Sequence, residues 1–415
     1  MRLINKLIFT ILLGITTLFA YSLNADSAAA VALSGSYSLR AAGYEANYWN
    51  PATLYKPINR LLLLNTNLDI GNNLLSTKRY NDLNGTFLTE ADKDRILDDL
   101  AKSFRLEGNV THNLLGFAYN RIAISSKLHI NAQGKLSSRY FELIMKGNEF
   151  DRQYSFDESD TRLSGFAYLD LTFGVSPYSF EYKGVPIHTG LALSYLRGLA
   201  SLTTEKYKGE FFVSNDGAMF DQEAVINTSL GGSGFKAMLG AMSQITPELA
   251  VGLSLDNIPG YIKWDNEVER RSYFASADSV YIADLDELIL HTDEVAEPLE
   301  SFTQRFPLIS RLSAIYQKDK LSLSLDWSHA YKQGMIGDNN SFLALGAEYY
   351  LTRFIPFRCG VNIRTRDKGY SFSYGSGIEA GPFLFNYGIK THNSIFLSPS
   401  SNGLGFAVTA ELDLY

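Results

Sequence analysis

From Phe306 to the C-terminus, apolar and polar residues alternate in segment after segment. Leu321, Leu323, Leu325 and Trp327 interleave with Ser322, Ser324, Asp326 and Ser328; Tyr370, Phe372 and Tyr374 with Ser371, Ser373 and Gly375. Phe406, Val408, Ala410, Leu412 and Leu414 interleave with Ala407, Thr409, Glu411 and Asp413. Successive side chains of a strand point to opposite faces, so each segment has one apolar face and one polar face. The segments are about 9–11 residues long, the length a strand needs to cross a bilayer. The pattern predicts antiparallel strands with the apolar face toward lipid and the polar face toward an interior.

Connection lengths follow the same logic. Lys318-Asp319-Lys320, Thr352-Arg353 and Glu379-Ala380-Gly381-Pro382 are tight, whereas the stretches beginning at Tyr331 and His392 are long. Transmembrane barrels have short turns on the periplasmic side and long loops outside. Counting back from a periplasmic C-terminus puts every tight turn on one side and the acidic stretch 265–305 outside. Asp367-Lys368-Gly369 is then the one short outer loop. Seven strands fall after Phe306 and roughly seven before it, so an all-β transmembrane antiparallel barrel of about 14 strands is expected. The earlier strand segments are Arg60–Ile70, Leu115–Leu128, Leu163–Phe173, Ile187–Leu199 and Leu249–Asn257, with Phe211–Ser214 and Ala224–Leu230 less regular. Gly231-Gly232-Ser233-Gly234 marks a bend or a close backbone approach. Between strands, Thr89 with Asp92 forms a capping-box pattern ahead of Ile96, Leu97 and Leu100, which predicts a short amphipathic helix. A second helix is expected over Lys135–Met145.

The N-terminus reads as an export signal: Arg2 and Lys6 precede an apolar run from Leu7 to Ala20, and small residues follow, with cleavage expected after Ala25. An exported chain with this patterning is expected in the outer membrane. The mean hydropathy of -0.07 does not oppose this, because barrel strands spread their apolar residues over alternate positions. The 25 Tyr and 26 Phe favour it, since aromatic rings suit the membrane–water interfaces. The single cysteine, Cys359, excludes an intrachain disulfide framework and shares parity with Phe357, Val361 and Ile363 on an apolar face. A net charge of -7 leaves no basic footprint, so no nucleic-acid partner is expected.

Catalytic and metal patterns are weak. Gly231-Gly232-Ser233-Gly234-Phe235 breaks the nucleophile-elbow motif at its last position, and the six histidines are scattered without metal-ligand spacing. No catalytic residue, metal site or cofactor is assigned, and the chain is not expected to be an enzyme. With the polar faces turned inward, Arg311, Glu348, Arg358, Arg364, Arg366, Glu379 and Lys390 are expected to face the lumen. Both signs of charge there fit either a selectivity ladder for an anionic solute or an ion-paired filling. A secreted β-sandwich is disfavoured, because the apolar strand faces exceed what one sandwich core can bury.

Within the N-terminal segment 26–58, residues 33–58 do not alternate well. The stretch includes Gly43, then Trp49, Asn50, Pro51, Ala52 and Leu54. Pro51 restricts Asn50 to an extended conformation, and the small residues allow packing inside another structure. This Gly, then aromatic-Asn-Pro-Ala-x-Leu, resembles the N-terminal signature of the FadL-like long-chain fatty-acid transporters. It is similar also to the PorV-type outer-membrane proteins of type IX secretion. A looser likeness runs from Gly234-Phe235 to Asn257-Ile258. The resemblance implies a 14-stranded barrel over residues 59–415, with an N-terminal plug or hatch built on Gly43, Trp49, Asn50, Pro51, Ala52 and Leu54. It also implies passage or binding of hydrophobic or amphipathic small molecules. The alternative is a non-transporting envelope scaffold or secretion shuttle that holds a protein partner on its extracellular loops. In both cases membrane lipid surrounds the wall. One departure from the pattern is Tyr415, the terminal aromatic, whose parity falls with Glu411 and Asp413.

Overall fold

The computed structural model describes residues 26–214, 217–280, 291–331, 340–365 and 369–414. The expected signal peptide, Arg366 and Tyr415 lie outside the described residues. The elements in chain order begin with α1 (Ala28–Ala32), α2 (Ala46–Trp49), β1 (Arg60–Asn72), α3 (Thr77–Leu83) and α4 (Glu90–Leu100). There follow β2 (Ser103–Tyr119), β3 (Ile122–Ser137), α5 (Ser138–Lys146), β4 (Tyr154–Asp157), β5 (Arg162–Tyr182) and β6 (Val185–Ser214). Then come β7 (Gly217–Ser229), β8 (Gly232–Gln244), β9 (Leu249–Trp264), β10 (Glu269–Val280), β11 (His291–Pro298) and β12 (Phe302–Arg305). The chain ends with β13 (Ile309–Lys318), β14 (Leu321–Ala330), β15 (Asn340–Thr352), β16 (Ile355–Arg364), β17 (Tyr370–Ala380), β18 (Phe383–His392) and β19 (Gly403–Asp413).

Among the described residues, fourteen strands close the wall. Seven precede Phe306 (β1, β2, β3, β5, β6, β8, β9) and seven follow it (β13 to β19), as the alternation predicts. β1 pairs with β2 on one edge and with β19 on the other, from Arg60↔Asp413 to Gly71↔Gly403, so the ring has no free edge. Closure is what lets strands cross lipid with every backbone group bonded. The parity is visible in accessibility: Leu321, Leu323, Leu325 and Trp327 are 37–44% exposed, while Ser322, Ser324 and Asp326 are 5–7%. The apolar residues face outward to lipid and the polar ones face the interior. Leu325 lies mid-strand on the lipid face, so Leu325→Arg is expected to destabilise the barrel by about 2–4 kcal/mol. Reversible urea unfolding in lipid vesicles would measure this.

Three expectations change on inspection. The segment Leu115–Leu128 is not one strand: it spans the β2–β3 turn, where Asn120 adopts φ +57 without a glycine or proline to announce it. The stretch 265–305 is a loop only in topology. Its described parts form β10, which pairs with β7 and β11, and β12, which pairs with β9. The acidic residues of β11 stand exposed while its backbone bonds into a sheet, which an amphipathic count cannot register. With the upper half of β6 and with β4, these strands make an extension of the wall beyond its fourteen-strand belt. The second helix begins at Ser138, because β3 runs on to Ser137.

Helix α4 forms as its caps dictate. Thr89 Oγ1 accepts from the Asp92 amide at 3.2 Å and the Asp92 carboxylate accepts from the Thr89 amide at 3.1 Å. Ile96 and Leu100 bury one face of this helix, α4, against Leu74, Phe104 and α5 residues Phe141 and Met145.

Candidate functional site

The lumen is occupied by residues 27–57 of the same chain. Their sequence explains why they are not strand. Ala28–Ala32 is a run of helix-compatible small residues, and Ser27 caps it by accepting from the Ala30 amide. Asn50 is extended at φ -159, ψ 103, as Pro51 requires, and its Oδ1 caps a 3-10 turn by accepting from the Ala52 amide at 3.0 Å. Gly43 takes φ +60, a left-handed conformation that suits glycine.

The wall is shaped to receive this segment. Gly346, Gly360, Gly375 and Gly388 lie on four adjacent strands, β15 to β18, and pair as Gly346↔Gly360 and Gly375↔Gly388. Helix α1 and Leu33 lie against this glycine floor. A Cβ on Gly375 would come within 2.7 Å of Ala32 Cβ, and one on Gly360 within 2.9 Å of Leu33 Cα and closer still to its carbonyl. The opposite side of the barrel repeats the device: Gly190↔Gly240 on β6 and β8 admit the Pro51-Ala52 backbone. Side chains on one inner face of a strand normally keep a filler away from the backbone; here their absence lets the two backbones approach.

Polar groups of the inner wall then fix the segment. The serines of the β14 alternation serve here: Ser324 Oγ donates to the Ser36 carbonyl at 3.0 Å, and Arg40 donates to Ser322 Oγ at 2.6 Å. Ala28 N donates to Thr409 Oγ1 at 2.9 Å. Asn47 Nδ2 donates to Ser125 Oγ at 2.9 Å, and the Trp49 carbonyl accepts from Ser254 Oγ at 3.0 Å. Asn50 Nδ2 reaches the Ala241 carbonyl at 3.2 Å. Tyr48 donates to Asp170 at 2.9 Å, and Lys127 Nζ sits 3.3 Å from the Tyr48 ring centroid while pairing with Asp26. Trp49 packs edge-on against Tyr37, whose hydroxyl donates to Glu45 at 2.6 Å. Burial and then the Glu45 carboxylate push the Tyr37 phenol well above its ordinary pKa, so it remains a donor. Ala52 and Leu54 are fully buried.

The inward charges of the wall fall into separate groups. Glu348 stands between two arginines: Arg358 Nε at 2.6 Å and Arg40 Nη1, from the segment, at 2.7 Å. Arg358 also donates to Asn386 at 2.6 Å and lies 3.4 Å from Glu379. Lys390 and His392 share Asp69 at 2.5 and 2.6 Å, and Arg364 contacts His392 at 3.2 Å. Arg311 is apart from both, 3.8 Å from Asp256 and 5.8 Å from the Trp49 ring centroid. Arg366 lies outside the described residues. Among the described residues the inward charges therefore make local clusters. Arg40, Asp69, Asp170 and Lys127 were not singled out from sequence. Asp69 and Lys127 follow strand parity, whereas nothing in the pattern around Arg40 marks it.

Two cavities flank the segment. One of about 450 Å³ lies toward the short-turn end and is lined by Arg40, Arg60, Glu348, Arg358, Glu379 and Glu411. The other, about 50 Å³, lies on the opposite side among Tyr48, His129, Asn131, Tyr168, Lys236 and Arg311. Asn131 Nδ2 and Arg311 Nη1 are buried there without a hydrogen bond. Beyond it, Phe166, Tyr168, Leu196, Ile262, Trp264 and Phe306 form an apolar cluster inside the barrel.

A family model described as a family of unknown function (DUF5723) matches residues 52–235. No curated protein matches the chain. Solved structures similar to it include the Ralstonia pickettii toluene transporter TbuX (13% identity, TM-score 0.52, 95% of this chain and 100% of that one). The CymD monoaromatic hydrocarbon channel is similar at 12% identity and TM-score 0.54, over 95% of this chain and 99% of that one. A Pseudomonas aeruginosa FadL homologue is similar at 14% identity and TM-score 0.52, over 96% and 100%. At these identities the likeness is one of fold: a closed fourteen-strand antiparallel β-barrel.

Proposed function

We propose that the chain passes hydrophobic or amphipathic small molecules across the outer membrane, with residues 27–57 as its plug. The observation that carries this reading is the manner of closure. The plug meets the wall through side-chain hydrogen bonds and packing and adds no strand to it, so it can move without breaking a β-ladder. Gly43, Trp49, Asn50, Pro51, Ala52 and Leu54 form the hinge-and-wedge part of this plug. Arg311, Glu348, Arg358, Arg364, Glu379 and Lys390 line the route. The interior aromatic cluster suits an apolar body. The unbonded amide of Asn131, beside an Arg311 that meets Asp256 only at 3.8 Å, suits a polar head, since a buried donor without a hydrogen bond is costly until something accepts from it. The similar folds of TbuX, a toluene transporter, and CymD, a monoaromatic hydrocarbon channel, support the same class of cargo.

Uptake tests the proposal. Cells lacking their own channels of this type, but carrying this chain, are expected to take up radiolabelled toluene or a long-chain fatty acid faster than the vector control. Equal rates for both solutes would refute it. The fully exposed β11 favours the second reading, a protein-holding surface. Removing residues 269–298 separates the two: uptake is expected to persist, whereas loss of a co-purifying protein with no uptake at any stage would move the assignment to the shuttle.

A further inference from the structure

Outside the lumen, the wall carries a trough. The β3–β5 pairing runs without a register break from Ile122↔Val175 to Lys135↔Arg162. Parity therefore carries over from the exposed lipid-facing Ile122, Ile124, Leu171 and Phe173 to Ala132, Gly134, Gly165 and Ala167. On those four positions the large lipid-facing side chains give way to small ones, and the surface sinks. The wall extension forms one flank, through Ile226 and Thr228 of β7 and Glu269, Arg271 and Tyr273 of β10, with Glu267 just before it. Helix α5 stands at the other, with Tyr140 stacked on Phe156 at 3.9 Å and bonded to Tyr207. Two adjoining cavities result, about 730 and 180 Å³, which share Ile226. The larger falls within the roughly 300–1,000 Å³ of small-molecule sites.

We propose that this trough holds an acyl chain of an outer-leaflet membrane lipid, lifted along the wall. Continuity selects this occupant: the floor is the direct extension of the lipid-facing surface of β3 and β5, with no charged side chain of that face between them. A peptide would need partners for its backbone groups; the floor is apolar, and Glu269 and Arg271 on the flank are paired with each other at 2.7 Å. The proposal concerns the outer surface and is independent of what crosses the lumen.

Gly134 provides the test, because a Cβ there would meet nothing within 4 Å and a larger side chain would enter the trough. The full-length chain, Gly134→Trp and the control Val361→Trp on the far lipid face would each be extracted from native membranes and taken through exhaustive detergent exchange. Retained lipid would be counted by mass spectrometry. The wild type and Val361→Trp are expected to keep about one lipid per chain, and Gly134→Trp about tenfold less, the loss of contact with about two methylenes. Heat-dependent migration on a detergent gel checks folding, and Gly134→Leu replaces the tryptophan if that variant fails. Equal retention by all three, no lipid on the wild type, or a non-lipid solute released in its place would overturn the proposal.

Discussion

Gly360→Val is expected to leave the barrel intact and its lumen open. Gly360 faces inward on β16, and a Cβ there would press into the backbone of Leu33, with its nearest atoms in the Leu33 carbonyl group. Backbone cannot rotate away as a side-chain tip can. Valine also favours a strand, so the wall itself has no reason to fail. Over-packing of this kind costs about 1–3 kcal/mol, and the plug, not the hydrogen-bonded wall, is the part that can yield. Single-channel recording in planar bilayers should show larger and longer openings than wild type, with unchanged heat-dependent gel migration. A closed channel of normal stability would mean that α1 does not rest on this floor. Val361→Trp, one residue along and facing lipid, should leave conductance unchanged.

Glu348→Ala is expected to have the second large effect. Its carboxylate accepts from Arg358 of the wall and Arg40 of the plug, whose side chains are 5% and 7% exposed. Removing the shared acceptor leaves two buried guanidinium groups facing each other. Breaking a buried pair in this way costs about 3–5 kcal/mol, because the charge left behind cannot recover its hydration. Arg358 keeps Asn386 and Glu379, while Arg40 keeps serine oxygens only, so the plug end of the cluster loses more. The expected result is faster proteolysis within residues 27–57 and a lower unfolding midpoint. Glu348→Ala with Arg40→Met should recover much of the midpoint while the plug stays loose. Equal protease resistance of wild type and Glu348→Ala would remove the cluster from the closure.

The wall was legible because its signal is local. Strand parity needs only neighbouring residues, and the sorting of Leu323 from Ser322, or Phe357 from Arg358, follows directly. Charges on that parity could be placed inside, but not paired: Glu348 finds Arg358 through the β15–β16 register and Arg40 through a contact about 300 residues away. The glycine floor was hidden for the same reason. Each of Gly346, Gly360, Gly375 and Gly388 reads alone as a weak point in a strand; only the register lines them up. The β2–β3 turn escaped because Asn120 and Arg121 carry no strong breaker. The 265–305 stretch escaped because a two-sided polar strand outside the membrane has no apolar face to betray its period.

The attachment of the plug to the wall sets the direction in which it can leave. The last helical turn of the plug ends at Tyr55 and β1 begins at Arg60, so only a few residues separate them. Fully extended, four residues span about 14 Å. β1 is also the strand where the ring closes, and Arg60 is held there by Glu411 and Asp413. The Tyr55 end is thus on a short leash at the seam, while the Ser27 end lies nearly thirty residues away. In the proposed passage, withdrawal starts at α1 and swings about the seam toward the short-turn end. On that proposal the half of the lumen under β15 to β18 would clear first, and the route would open off-centre.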